Sequence, residues 1–230
     1  MQHGPLYRLH RFLAARSFYA LALCSLLALG VLAGRIVLSD TFGFRFLVWN
    51  LFLAWVPYLL SLLTEALHRP AAPRRLAAAL TGCGWLLFFP NAPYLVTDFV
   101  HLPGARGVPW WYDVGLLAIF AWTGCFLGVV SLWRMQRVVR RSAGAAAAWV
   151  FVLLAAGLGG LGVYLGRFGR WNSWDLLLAP AHVLADLHAV LGDTRALREA
   201  LGVTGLFAAL LIACFATFVS VRPRLTAEEA

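Results

Sequence analysis

Asp98 and His101 stand three residues apart near the end of Pro90-Asn91-Ala92-Pro93-Tyr94-Leu95-Val96-Thr97-Asp98-Phe99-Val100-His101. On a helix that spacing puts both side chains on one face. A carboxylate and an imidazole so placed are a candidate acid/base pair, or two ligands of a candidate divalent-metal site. Asp113, one short turn further on, is the candidate third oxygen ligand. Its other reading is a carboxylate complementing the positive end of the helix it opens. Asn91 and Tyr94 fall on the same face, with Thr97 beside them. Pro90 and Pro93 remove two backbone donors, so the helix must kink or break. Asn91 is placed to cap a restarted helix, with Pro93 tolerated in its first turn.

A second polar stretch reads Arg167-Phe168-Gly169-Arg170-Trp171-Asn172-Ser173-Trp174-Asp175. Two guanidinium forks beside a helix start and two tryptophans form a candidate cradle for a phosphate or carboxylate, and contact with bulk anionic lipid uses the same chemistry. Asn172 or Ser173 can cap a helix starting at Trp174, with Asp175 favouring its dipole. His182 and His188 read as surface residues.

These residues must be positioned by a membrane fold. The chain has 230 residues, of which 62% are hydrophobic and 13% charged, and its mean hydropathy is +0.79. Soluble domains are nearer half apolar and a quarter charged, so the soluble class is excluded. Six apolar runs approach the roughly 20 residues that a bilayer core of about 30 Å demands. They lie near residues 17–38, 46–67, 76–100, 113–133, 144–166 and 200–221. The expectation is an all-α polytopic bundle of about six transmembrane helices forming a single domain over residues 1–230. Its third helix is broken at Pro90-Asn91-Ala92-Pro93, and an interfacial segment covers about 174–191. Within a membrane, irregular backbone needs protein or a wet cavity around it, which makes the break a candidate pocket. The alternative is a proline kink near the headgroups, with Asp98 and His101 simply solvated. Gly124/Gly128 and Gly162/Gly166 are GxxxG pairs that permit close helix approach.

All 19 basic residues are arginines, set against 10 acids. They cluster between the apolar runs, a topology and headgroup signal rather than a nucleic-acid footprint. Twelve of them fall on the side of the termini and seven on the other, which puts both termini in the cytoplasm by the positive-inside rule and both polar stretches outside. Cys24, Cys83, Cys125 and Cys214 lie within apolar runs without CxxC spacing and read as small buried hydrophobes. No serine-hydrolase, zincin or nucleotide-binding motif appears in its required context, and no internal repeat suggests a two-halved transporter.

The chain resembles the bacterial membrane protein family known as domain-of-unknown-function family 1361. The likeness rests on Phe88-Phe89-Pro90-Asn91-Ala92-Pro93-Tyr94 with Thr97-Asp98 and His101-Leu102, on Trp111-Tyr112-Asp113, and on Arg170 with Asn172-Ser173-Trp174-Asp175. It implies a multi-pass bacterial inner-membrane protein and brings no activity with it. The residues themselves suggest an outward-facing pocket lined by Asn91, Tyr94, Asp98, His101, Asp113, Arg167, Arg170, Asn172 and Asp175, recognising or processing an anionic headgroup or lipid-linked substrate. Two other readings stay open: a small transporter or channel built on the broken helix, and a non-catalytic subunit that docks another membrane protein.

Overall fold

A computed structural model describes residues 4–68, 72–103 and 107–227. Arg69 and Arg106, counted above for orientation, lie outside the described residues. Among those residues the chain is helical and forms no strand. The elements are α1 (Pro5–Ala14), α2 (Phe18–Ser39), α3 (Phe46–Leu67), α4 (Ala72–Phe88), α5 (Asn91–Tyr94), a 3₁₀ helix (Leu95–His101), α6 (Trp110–Arg167), α7 (Asp175–Leu178), α8 (Pro180–Gly192) and α9 (Thr194–Ala227).

Four helices are long and apolar enough to cross a membrane: α2, α3, α6 and the Thr194–Val221 part of α9. Their outward faces carry Leu23, Leu26, Leu59, Leu153 and Leu206, all exposed, as lipid contact requires. With 58 residues, α6 would reach about 87 Å if straight, far beyond a bilayer. Gly144, at φ 86° and ψ 179°, divides it into residues 110–143 and 145–167. A left-handed φ combined with extended ψ is open only to glycine, so the turn is made at this residue.

The two halves of α6 run antiparallel and hold the chain of residues 89–95 between them. A Cβ added to Gly128 would touch Ala92 and Phe89, and one on Gly124 would meet the Ala92 carbonyl oxygen and Leu95. On the opposite side, Gly159 faces Phe89, Gly162 faces the Pro90 ring and Gly166 faces Tyr94. As residues 89–95 advance, their neighbours therefore fall from 128 to 124 in one half and rise from 159 to 166 in the other. Both expected GxxxG pairs grip this one segment. One buried cluster joins Leu21, Leu47, Phe120, Ala92 and Leu95. A second joins Trp85, Phe89, Val152 and Phe215.

Four details depart from expectation. Helix α1 precedes the first apolar run, beginning with Pro5 at a position where its missing N–H costs nothing. The loop expected at Arg134, Arg137, Arg140 and Arg141 is helical, because arginine is a good helix former and nothing interrupts the helix before Gly144. Arg134 is also anchored there by an ion pair to Glu65, and Arg137 lies 4.7 Å over the Trp133 ring. The last helix starts at Thr194, where the Asp193 carboxylate accepts the Arg195 and Ala196 N–H groups at 2.8 and 3.4 Å. Cys83 is exposed, and Cys24, Cys125 and Cys214 are half-buried, rather than buried.

Candidate functional site

Helix α4 has 17 residues and ends at Phe88, where the prolines take over. Asn91 does not cap the turn that follows. Pro93 has no N–H, and the Tyr94 N–H is already bonded to the Pro90 carbonyl at 3.1 Å, so a capping oxygen would find no donor. The Asn91 amide turns back instead, donating to the Phe88 carbonyl at 2.9 Å and to Ser173 Oγ at 2.8 Å. One side chain thus closes α4 and ties the first polar stretch to the second.

From Leu95 the backbone tightens to a 3₁₀ helix, in which residues three apart eclipse one another. Asp98 and His101 therefore share a face, as their spacing suggested, and both meet Arg167 from the end of α6. Asp98 is 1% exposed. Its Oδ2 accepts from Asn50 Nδ2 at 3.0 Å, while Oδ1 has no hydrogen-bond partner and lies 4.0 Å from Arg167 Nη1. Arg167 reaches His101 Nε2 with Nη2 at 3.3 Å and Nη1 at 3.5 Å. A guanidinium only donates, so Nε2 accepts and the imidazole proton sits on Nδ1. The Phe46 ring packs 4.7 Å from the imidazole.

Burial, and then the Arg167 charge, hold His101 below the ordinary imidazole range. Its neutral form is favoured in the folded protein. The contribution to stability is complete above the unfolded imidazole pKa and is lost as pH falls, when protonation removes the acceptor and sets two cations together. Arg167→Ala is expected to raise the His101 pKa toward, but not fully to, the unperturbed value, since burial remains. Imidazole resonances followed through an NMR pH titration read this directly, and an unchanged or lowered value contradicts the contact.

The other polar residues divide. Arg170 is exposed, in a left-handed turn at φ 57° that the Trp171 N–H closes onto the Leu165 carbonyl at 3.2 Å. No carboxylate among the described residues pairs with it. Asp175 accepts the Asn172 N–H at 2.7 Å and the Asn172 Nδ2 at 3.2 Å. The capping relation expected there is thus reversed, with the acid reaching back, and α7 lasts only four residues before Pro180 opens α8. Asp113 goes elsewhere. It is 1% exposed and paired with Arg35, Nε to Oδ1 at 2.6 Å. Among the described residues no three His, Cys, Asp or Glu side chains are placed to hold a metal, so the set Asp98, His101 and Asp113 does not fit one.

Above this polar cluster opens a cavity of about 1090 Å³. Its polar lining includes Asn50, Asn91, Tyr94, His101, Arg167 and Arg170, together with Asn172 and Ser173. Most of the wall is apolar, with Leu53, Leu80, Leu87, Leu158, Leu161 and Leu177 among its residues. Val183 and Leu187 of α8 close one side. Asp98 lies behind the wall rather than in it, and Asp113 and Asp175 do not line it.

Sequence reasoning missed Asn50 and Arg35, the partners of the two buried aspartates. Each is a polar side chain inside an apolar run, and that alone was the available signal.

Among the described residues, an all-helical bundle with four helices long and apolar enough to cross a membrane has the architecture of a helical membrane protein. The family described as "Protein of unknown function (DUF1361)" matches residues 49–214, most of the chain, and the protein belongs to that family. No curated protein and no solved structure matches it.

Proposed function

We propose that this is a bacterial inner-membrane protein of six crossings that receives an amphiphile with an anionic headgroup. In this reading the third crossing is broken over residues 90–93, both termini are cytoplasmic, and the cavity opens on the outer side. Two arginines in an otherwise mostly apolar cavity wall carry the reading. Arg167 and Arg170 line the cavity against one nearby buried carboxylate, Asp98, which is already engaged by Asn50. That leaves a net positive cradle for a phosphate or carboxylate, while the leucine wall suits an acyl chain. If chemistry follows binding, His101 is the acid/base candidate at the cavity wall, and Asp98, the other candidate, sits behind it and acts only through Arg167.

Short-chain phosphatidylglycerol and phosphatidylcholine, titrated against the detergent-solubilised protein and read by native mass spectrometry, test the reading. The anionic lipid is expected to bind more tightly. Arg167→Gln with Arg170→Gln is expected to erase that preference, with a loss of about tenfold to hundredfold for two charge-assisted contacts. Equal affinity for both lipids in the wild type would defeat the proposal.

A further inference from the structure

A second cavity, of about 920 Å³, lies at the opposite ends of the same helices. The first is lined from Trp49 and Asn50 at the start of α3, from the latter part of α4, and from residues 158–167 of α6. The second is lined from Thr64 and His68 at the end of α3, from Arg75 at the start of α4, and from Met135, Arg141, Ser142 and Phe151 around the Gly144 turn. Cys83 and Leu86 belong to both walls. The two cavities share wall residues along α4, which packs its backbone on α3 and reaches α6 through side chains such as Trp85.

The second cavity, like the first, combines arginines with a mostly apolar wall. Arg75, Arg141, His68 and Ser142 gather at one end, with His68 Nε2 and Ser142 Oγ 3.2 Å apart. Trp85, Leu86, Met135 and Phe151 form the apolar end. Glu65 is ion-paired to buried Arg134 and lies 3.8 Å from Arg141, so one carboxylate faces two guanidinium groups there and the end stays positive. Between the basic ends, α4 presents Ala79, Gly82 and Cys83, small side chains that leave room beside the helix. At 17 residues α4 is about 26 Å long, shorter than a bilayer core of about 30 Å, which thins the barrier along this face.

We propose that the two cavities are the ends of one groove along α4 through which an anionic phospholipid passes from one leaflet to the other, its headgroup handed between the two arginine clusters. The proposal rests on the reading of the first cavity as an anionic-amphiphile site and adds a second site and a route between them. Transfer is downhill and needs no chemical step.

The test uses the full chain in vesicles of phosphatidylcholine carrying a trace of fluorescent phosphatidylglycerol, with dithionite quenching the outer leaflet. Protein-containing vesicles are expected to expose inner-leaflet label about tenfold faster than protein-free ones, a difference of roughly 1.4 kcal/mol in barrier. Arg75→Gln with Arg141→Gln is expected to slow transfer toward the protein-free rate. So is a bulky maleimide attached to Cys83 after reconstitution, when folding is no longer at issue. Transfer at the protein-free rate in the wild type overturns the route. If Arg167- and Arg170-dependent lipid binding persists in that case, only the route falls; if binding is missing as well, the first reading falls with it. Unslowed transfer after Cys83 modification, or equal transfer of fluorescent phosphatidylcholine, also overturns the proposal.

Discussion

Arg35→Ala is expected to lower the unfolding free energy by about 3–5 kcal/mol, the usual cost of stripping one partner from a buried ion pair. Arg35 and Asp113 are 3% and 1% exposed at their side chains and meet at 2.6 Å. Arg35 also donates to Thr41 Oγ1 at 3.0 Å and lies 4.4 Å over the Phe44 ring. Removing it strands the Asp113 carboxylate, 1% exposed, away from water, where charge is poorly solvated. Asp113→Asn is expected to cost less, because the amide oxygen still accepts a hydrogen bond. Arg35→Met combined with Asp113→Leu is expected to regain most of the loss, since the desolvation penalty of both charges disappears together. Denaturant unfolding in detergent measures all three. A cost near that of an exposed pair, below about 1 kcal/mol, would mean the pair is wet and the packing around it misjudged.

The second large effect is expected at the glycines that grip the broken segment. A side chain at Gly124 would run into the Ala92 carbonyl oxygen and come within 2.6 Å of Leu95 Cδ1, and one at Gly162 would collide with the Pro90 ring. Backbone and proline cannot swing aside as the tip of a flexible side chain does. Gly124→Val and Gly162→Val are each expected to destabilise by about 1–3 kcal/mol through overpacking. They should also push residues 89–95 away from one half of α6, breaking the Asn91 to Ser173 bond that joins the two polar stretches. Amphiphile binding is therefore expected to fall more than stability alone predicts, with Asn91→Ala as the local comparison. Gly157 faces open space, so Gly157→Ala is expected to be neutral or to stabilise by up to about 1 kcal/mol. Thermal unfolding and lipid titration of the set decide it. Valine variants indistinguishable from Gly157→Ala would show that the clamp is loose.

The amino-acid sequence by itself determined the class of this protein, the places where helices cannot continue, and the residues worth following. Those properties are written locally, in apolar runs of bilayer length, in paired prolines that delete donors, and in a D-x-x-H spacing that survives the change from α to 3₁₀ geometry. The GxxxG pairs were legible as points of close approach, but what approaches them was not, because a small residue announces space without naming its occupant. Only the tertiary structure decided the partners. Asp98 and Asp113 look equivalent as acids at helix ends, yet one is held by Asn50 beside Arg167 and the other by Arg35. A hydrogen bond or an ion pair acts over a few ångströms in space, here across 48 residues of chain in the first case and 78 in the second. The same holds for Asn91, whose partner Ser173 lies 82 residues away, and whose side chain was free to reach it because Pro93 has no N–H and the Tyr94 N–H is already bonded.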